Sequence, residues 1–194
     1  MKIFQFALAV AVASTHFVNA GAERPNMLII LVDDHAFEAI SAYNSYLKDH
    51  IQTPSIDRVA NEGMRFDNMT VSTSICSPCR ASLLTGQHGH VNGVRTLNGG
   101  INETSPQYPV QLQKAGYQTW LVGKWHLDSS PKGYHKHMVV KGQGHYFDPT
   151  FYGSEGTWKR KGYSTDVYTD IALDWLKNRD RNKPFLLSLQ YKAP

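Results

Sequence analysis

Cys76-Ser77-Pro78-Cys79-Arg80-Ala81-Ser82-Leu83-Leu84-Thr85-Gly86 is the stretch whose residue types and spacing could do chemistry. Pro78 suits the first turn of a helix, where its missing N–H costs nothing, and Arg80 lies four residues past Cys76, so the two share a helix face. A group at position 76 therefore stands at a helix N-terminus beside a guanidinium. That is an arrangement for holding an anion. Cys76 and Cys79 also spell a C-x-x-C pair, which in an oxidising compartment would be a disulfide or a redox couple. A redox pair has no need of Arg80 or of the close at Leu84-Thr85-Gly86, and with only 2 cysteines in the chain no second pair exists to bind zinc.

Two further constellations carry charge. Asp33-Asp34 offers paired hard oxygen ligands, and two carboxylates turned to one point repel unless a cation such as calcium or magnesium lies between them. Adjacent aspartates also cap or turn a chain after a strand, and both readings stand on these residues alone. Lys124 and His126, in Gly123-Lys124-Trp125-His126-Leu127, are in isolation a solvated lysine and a structural histidine.

The elements that must position these residues alternate. Met27 to Val32 is an apolar run of strand length, as expected of a strand buried on both faces of a parallel sheet. Thr53-Pro54-Ser55 starts a helix carrying Ile56, Val59 and Ala60 and stopped by Gly63, with a strand expected from Met64 to Met69. A short helix from Val110 to Ala115 precedes a strand from Gln118 to Val122. Between Ser129 and Tyr163 the chain lacks a clear period and reads as a long surface excursion. Ser164-Thr165-Asp166 caps a helix with Val167, Ile171, Trp175 and Leu176 on its apolar face, and Pro184 precedes a strand from Phe185 to Gln190. The pattern is α/β, a mostly parallel sheet with helices on both faces. Ligands of such sheets gather beyond the carboxyl ends of the strands, where Asp33-Asp34, Lys124-Trp125-His126 and Lys192-Ala193-Pro194 all fall.

Composition bounds the partners. The chain has 194 residues and a formal net charge of +4, and its basic residues are scattered apart from Lys159-Arg160-Lys161. No aromatic-basic alternation suggests a nucleic-acid surface. Lys2, the apolar run Ile3 to Ala13 and Val18-Asn19-Ala20 read as a secretory leader spanning residues 1–20, too short to cross a bilayer. The remainder, 21–194, is expected to be exported, periplasmic or extracellular, or lysosomal or secreted in a eukaryote, and to have no membrane contact once the leader is cleaved.

Cys76, Pro78 and Arg80 together resemble the signature of the sulfatases, and Gly123-Lys124-Trp125-His126-Leu127 looks like their second motif. Thr53-Pro54-Ser55-Ile56-Asp57-Arg58 and Glu62-Gly63-Met64-Arg65-Phe66 resemble structural segments of the same family, so the likeness runs along nearly all of the chain. The resemblance implies an alkaline-phosphatase-like fold and a cysteine at position 76 converted to formylglycine by a maturation enzyme. It implies calcium, or magnesium, held by Asp33, Asp34 and the group at 76. Arg80 and Lys124 would steady the nucleophile and the sulfate, and His126 would take a proton. One departure is Cys79, where the family usually has Ser or Ala. The family pattern also continues past Pro194 with a histidine acid, two distal metal ligands and a further lysine, so the chain reads as the N-terminal part of such an enzyme, with its sheet incomplete at the C-terminus, and inactive alone. His90 to Asn98 and Gly142 to Pro149 look most like enzymes acting on N-acetylglucosamine 6-sulfate. Small aryl sulfates and a non-catalytic glycan-binding role are the alternatives.

Overall fold

The computed structural model describes residues 24–194; the expected leader lies outside the described residues. Six strands form one sheet: β1 (Met27–Leu31), β2 (Gln118–Lys124), β3 (Lys136–Val140), β4 (Thr150–Gly153), β5 (Gly156–Lys159) and β6 (Phe185–Gln190), in the order β1-β6-β2-β3-β4-β5. The pairs β1–β6, β6–β2 and β2–β3 are parallel, whereas β3–β4 and β4–β5 are antiparallel. The sheet is therefore mostly parallel. The last strand in sequence lies between the first two.

Alternation along the strands sends side chains to two cores. Leu121 and Leu186 meet Ala81 and Leu84 of α2 (Cys76–Thr85), while Trp120, Val122, Leu187 and Leu189 meet Val167, Tyr168 and Ala172 of α5 (Ser164–Asn178). α4 (Tyr108–Lys114) covers β2 beside α2 through Tyr108 and Leu112. Helices thus lie on both faces, as the alternating pattern requires. The helix α1 (Pro54–Glu62) and the single-turn α3 (Gly89–Asn92) complete the set, and no helix among the described residues is long and apolar enough to cross a membrane.

Four expectations need correction. Residues 64–69 form no strand: Met64, Phe66 and Met69 are exposed, and no strand among the described residues pairs with them. The stretch from Ser129 to Tyr163 is not a plain surface excursion, because it supplies β3, β4 and β5, with Val139, Val140 and Phe151 buried. These strands are only four or five residues long, and β4 and β5 meet at Gly153 and Gly156, which hid their period. β1 is buried on one face only, since Leu28 and Ile30 are 51% and 55% exposed. At the start of α5, Tyr163 is the capping position and no side-chain cap bond forms; Ser164 is buried within the helix.

Candidate active site

Three neighbouring elements deliver the charged groups. Asp33 follows β1, Lys124 ends β2, and α2 points its first turn at both, carrying Cys76 and, four residues on, Arg80. α2 ends at Gly86 (φ 66°), whose N–H donates to Ser82 O at 2.8 Å. Its N-terminus is fastened by Ser77, whose hydroxyl lies 2.6 Å from the His126 carbonyl and 3.0 Å from that of Leu97. The helix mouth is thereby tied to the segment leaving β2. Gly123 makes this crossing possible: at φ 112° its missing Cβ would lie 1.9 Å from Gln190 O, so no other residue fits against β6.

Asp33 is the hub. Its Oδ1 accepts from Arg80 Nη2 at 3.0 Å and its Oδ2 accepts from Lys124 Nζ, with Arg80 3% and Lys124 0% exposed. Burial raises the Asp33 pKa, but hydrogen bonds from Lys124 and Arg80, with their charges, more than offset it and leave the carboxyl below its ordinary value. Arg80 Nη1 donates to the Lys124 carbonyl at 2.6 Å and to Gln190 Oε1 at 2.7 Å. Lys124 Nζ also donates to Cys76 Sγ at 3.4 Å and to Gln143 Oε1 at 2.6 Å. Cys76 and Cys79 are free thiols. Burial raises the Cys79 pKa, which favours its protonated thiol.

Asp33, Asp34 and Cys76 place one potential ligand atom each within 4.8 Å of one another. Asp34 is exposed, turned out by a left-handed backbone (φ 56°), and its oxygens have no protein partner among the described residues. Two carboxylates are hard donors, and an oxygen function in place of the Cys76 sulfur would make the set all-oxygen, which fits calcium or magnesium. Beside them a cavity of about 260 Å³ is lined by Asp33, Asp34, His35, Cys76, Cys79 and Arg80.

His126 sits just past Lys124 with a left-handed backbone (φ 51°), and its Nδ1 is buried without a partner. Burial first, then the charges of Lys124 and Arg80, lower its pKa, so the imidazole is neutral and able to accept a proton. It makes no side-chain bond to the Asp33 cluster. Lys192 is also apart from it, with its ammonium 4.1 Å from the centre of the Tyr146 ring. Gln143 and Gln190, which hold the two buried cations, were not singled out from the sequence. Gln190 ends an apolar strand and Gln143 lies in the turn three residues past another, which was the available signal.

The Sulfatase family profile matches residues 25–194. An N-acetylglucosamine-6-O-sulfatase of Bacteroides thetaiotaomicron is 43% identical over 175 residues, covering 89% of this chain and 31% of that protein. Arylsulfatase G of Rattus norvegicus is 36% identical over 182 residues, covering 81% of this chain and 33% of that protein. The structure of BT4656 in complex with its substrate D-glucosamine-2-N,6-O-disulfate superposes with a TM-score of 0.84 at 43% identity, covering 89% of this chain and 35% of that one. A mostly parallel sheet with an anion-ready helix mouth at its carboxyl rim is the alkaline-phosphatase-like architecture. The chain belongs to the sulfatase family. It spans about a third of the length of these relatives.

Proposed function

We propose that this chain carries the nucleophile half of a sulfuric ester hydrolase that releases sulfate from a saccharide bearing N-acetylglucosamine 6-sulfate. The observation that carries the reading is Cys76 at the mouth of α2 with Lys124 Nζ 3.4 Å from its sulfur, both within one cluster with Asp33 and Arg80. The saccharide class rests on the 43% identical relatives, one an N-acetylglucosamine-6-O-sulfatase and one solved with a glucosamine disulfate.

Converted to formylglycine by a maturation enzyme, position 76 would supply a hydrated aldehyde as nucleophile, beside a divalent cation that Asp33 and Asp34 would hold and that would draw charge from a sulfate oxygen. Arg80 and Lys124 set a positive field at that position. One unit charge at ~4 Å in an effective dielectric near 20 interacts by about 4 kcal/mol, against about 0.3–2 kcal/mol for the helix terminus, so the two side chains outweigh the dipole. Asp33 fixes both cations, and neutral His126 would accept a proton. The leader expected over residues 1–20 would send the product out of the cytoplasm.

The test is peptide mass spectrometry across Cys76 in the full-length product coexpressed with a maturation enzyme, paired with sulfate release from N-acetylglucosamine 6-sulfate and from an aryl sulfate. Conversion of Cys76, with release favouring the sugar, is the expected result. Cys76→Ala should remove at least about a thousandfold of the rate while the protein stays folded. An unmodified thiol in an enzyme that still cleaves sulfate esters would sink the reading.

A further inference from the structure

Lys124 is buried completely, and its ammonium can only donate. Its acceptors are Asp33 Oδ2, Cys76 Sγ and Gln143 Oε1. Because an ammonium accepts nothing, the Gln143 amide must present its oxygen, which settles its orientation and leaves Nε2 without a protein partner among the described residues. Gln143 is exposed as a residue, yet its carbonyl reaches inward to the most buried cation of the site.

The turn that carries it is built for this reach. Gly142 and Gly144 flank Gln143 at φ 53° and 66°, and Gly144 N–H donates to Lys141 O at 3.0 Å. A Cβ on Gly144 would lie 2.6 Å from Val140 Cγ2, so the turn presses directly on the buried end of β3, which pairs with the Gly123–Lys124 end of β2. The turn that carries the amide is therefore seated on the end of β3 that is in register with Lys124.

The three acceptors differ in one respect. Asp33 and Cys76 are the groups whose chemistry changes when position 76 is oxidised and a cation is taken up, and Gln143 is the one outside both events. We propose that Gln143 is a positioning residue that holds the Lys124 ammonium in place throughout, a role that rests on the sulfatase reading only for what Lys124 then does. A neutral acceptor suits the task, since it fixes the ammonium without cancelling the charge offered to an anionic ester.

The experiment uses the full-length matured protein with Gln143→Ala, Gln143→Glu, Lys124→Ala and the Gln143→Ala/Lys124→Ala double variant. Losing a charge-assisted hydrogen bond should lower kcat about tenfold to a hundredfold in Gln143→Ala with a smaller change in KM. Gln143→Glu, which restores the acceptor but adds a negative charge, should recover kcat relative to Gln143→Ala and raise KM. In the Lys124→Ala background the Gln143→Ala loss should vanish. A loss of equal size in both backgrounds would show that Gln143 acts elsewhere and overturn the proposal. Trace acetylation of the folded protein, read by mass spectrometry, gives a second measure: Lys124 should label several-fold faster in Gln143→Ala than in the parent, and an unchanged rate would also overturn it. If the matured parent releases no sulfate from any ester, the sulfatase reading fails, while the labelling comparison still decides whether Gln143 holds Lys124.

Discussion

Asp33 accepts from a buried cation on each carboxylate oxygen, so removing Asp33 would leave two buried cations without their shared counter-charge, whereas removing either cation leaves Asp33 paired with the other. Asp33→Ala should cost about 3 kcal/mol of stability, read from urea unfolding. A loss under about 1 kcal/mol would mean that water reaches the cluster far more freely than its burial indicates. The charged members were legible in the sequence through the resemblance carried by Cys76, Pro78 and Arg80 and by Gly123-Lys124-Trp125-His126-Leu127, since Asp33 and Lys124 taken singly have bland readings. Asp33, Cys76, Arg80 and Lys124 are brought together, Asp34 stands at the edge, and His126 is near but not bonded to them. Gln143 and Gln190 were not legible: a glutamine carries no charge, and only the folded register shows which donor its carbonyl meets.

The helix α1 and the turn Ser41–Tyr43 form a unit pinned by one carboxylate. Asp57 accepts from Ser41 Oγ at 2.6 Å, from Thr53 Oγ1 at 2.8 Å and from Ala42 N–H at 2.9 Å. The Ser41 bond is the largest influence on its pKa, followed by a smaller opposing contribution from burial and the bonds from Thr53 and Ala42; the net effect lowers it. A lowered folded pKa means that this stabilisation is fully present above the ordinary carboxylate value and is lost as pH falls through the depressed one. Urea midpoints measured from neutral pH to about pH 3 should therefore fall less steeply in Asp57→Asn than in the parent. Identical slopes would show that Asp57 is equally ionised in folded and unfolded chains. At this scale the sequence was informative where apolar runs were long. β1, β2, β6, α1, α2, α4 and α5 were all anticipated, whereas Thr150–Gly153 and Gly156–Lys159 owe their strand state to pairing across Gly153 and Gly156, a non-local cause. The error at Met64–Met69 has the converse origin, β-prone residues with no partner strand.

The whole molecule is organised around β6, which is hydrogen-bonded on both sides and places Leu186, Leu187 and Ser188 at 0% exposure. Amides of Leu186–Leu189 should exchange with solvent only through global unfolding, with protection matching the stability measured by denaturant. Faster exchange there than in β2 would show that the centre of the sheet opens by itself. β1 and β2 do not touch, so Asp33 and Lys124 come within reach only once β6 lies between them. Arg80 and the Gln190 carbonyl that secures it are 110 residues apart in the chain. At a ribosomal pace of about 5–20 residues per second, that separation corresponds to a delay on the order of ten seconds during which the Cys76 segment has been made but its enclosure has not. Strand order thereby separates in time the making of the Cys76 segment from the closing of the cage of side chains around it.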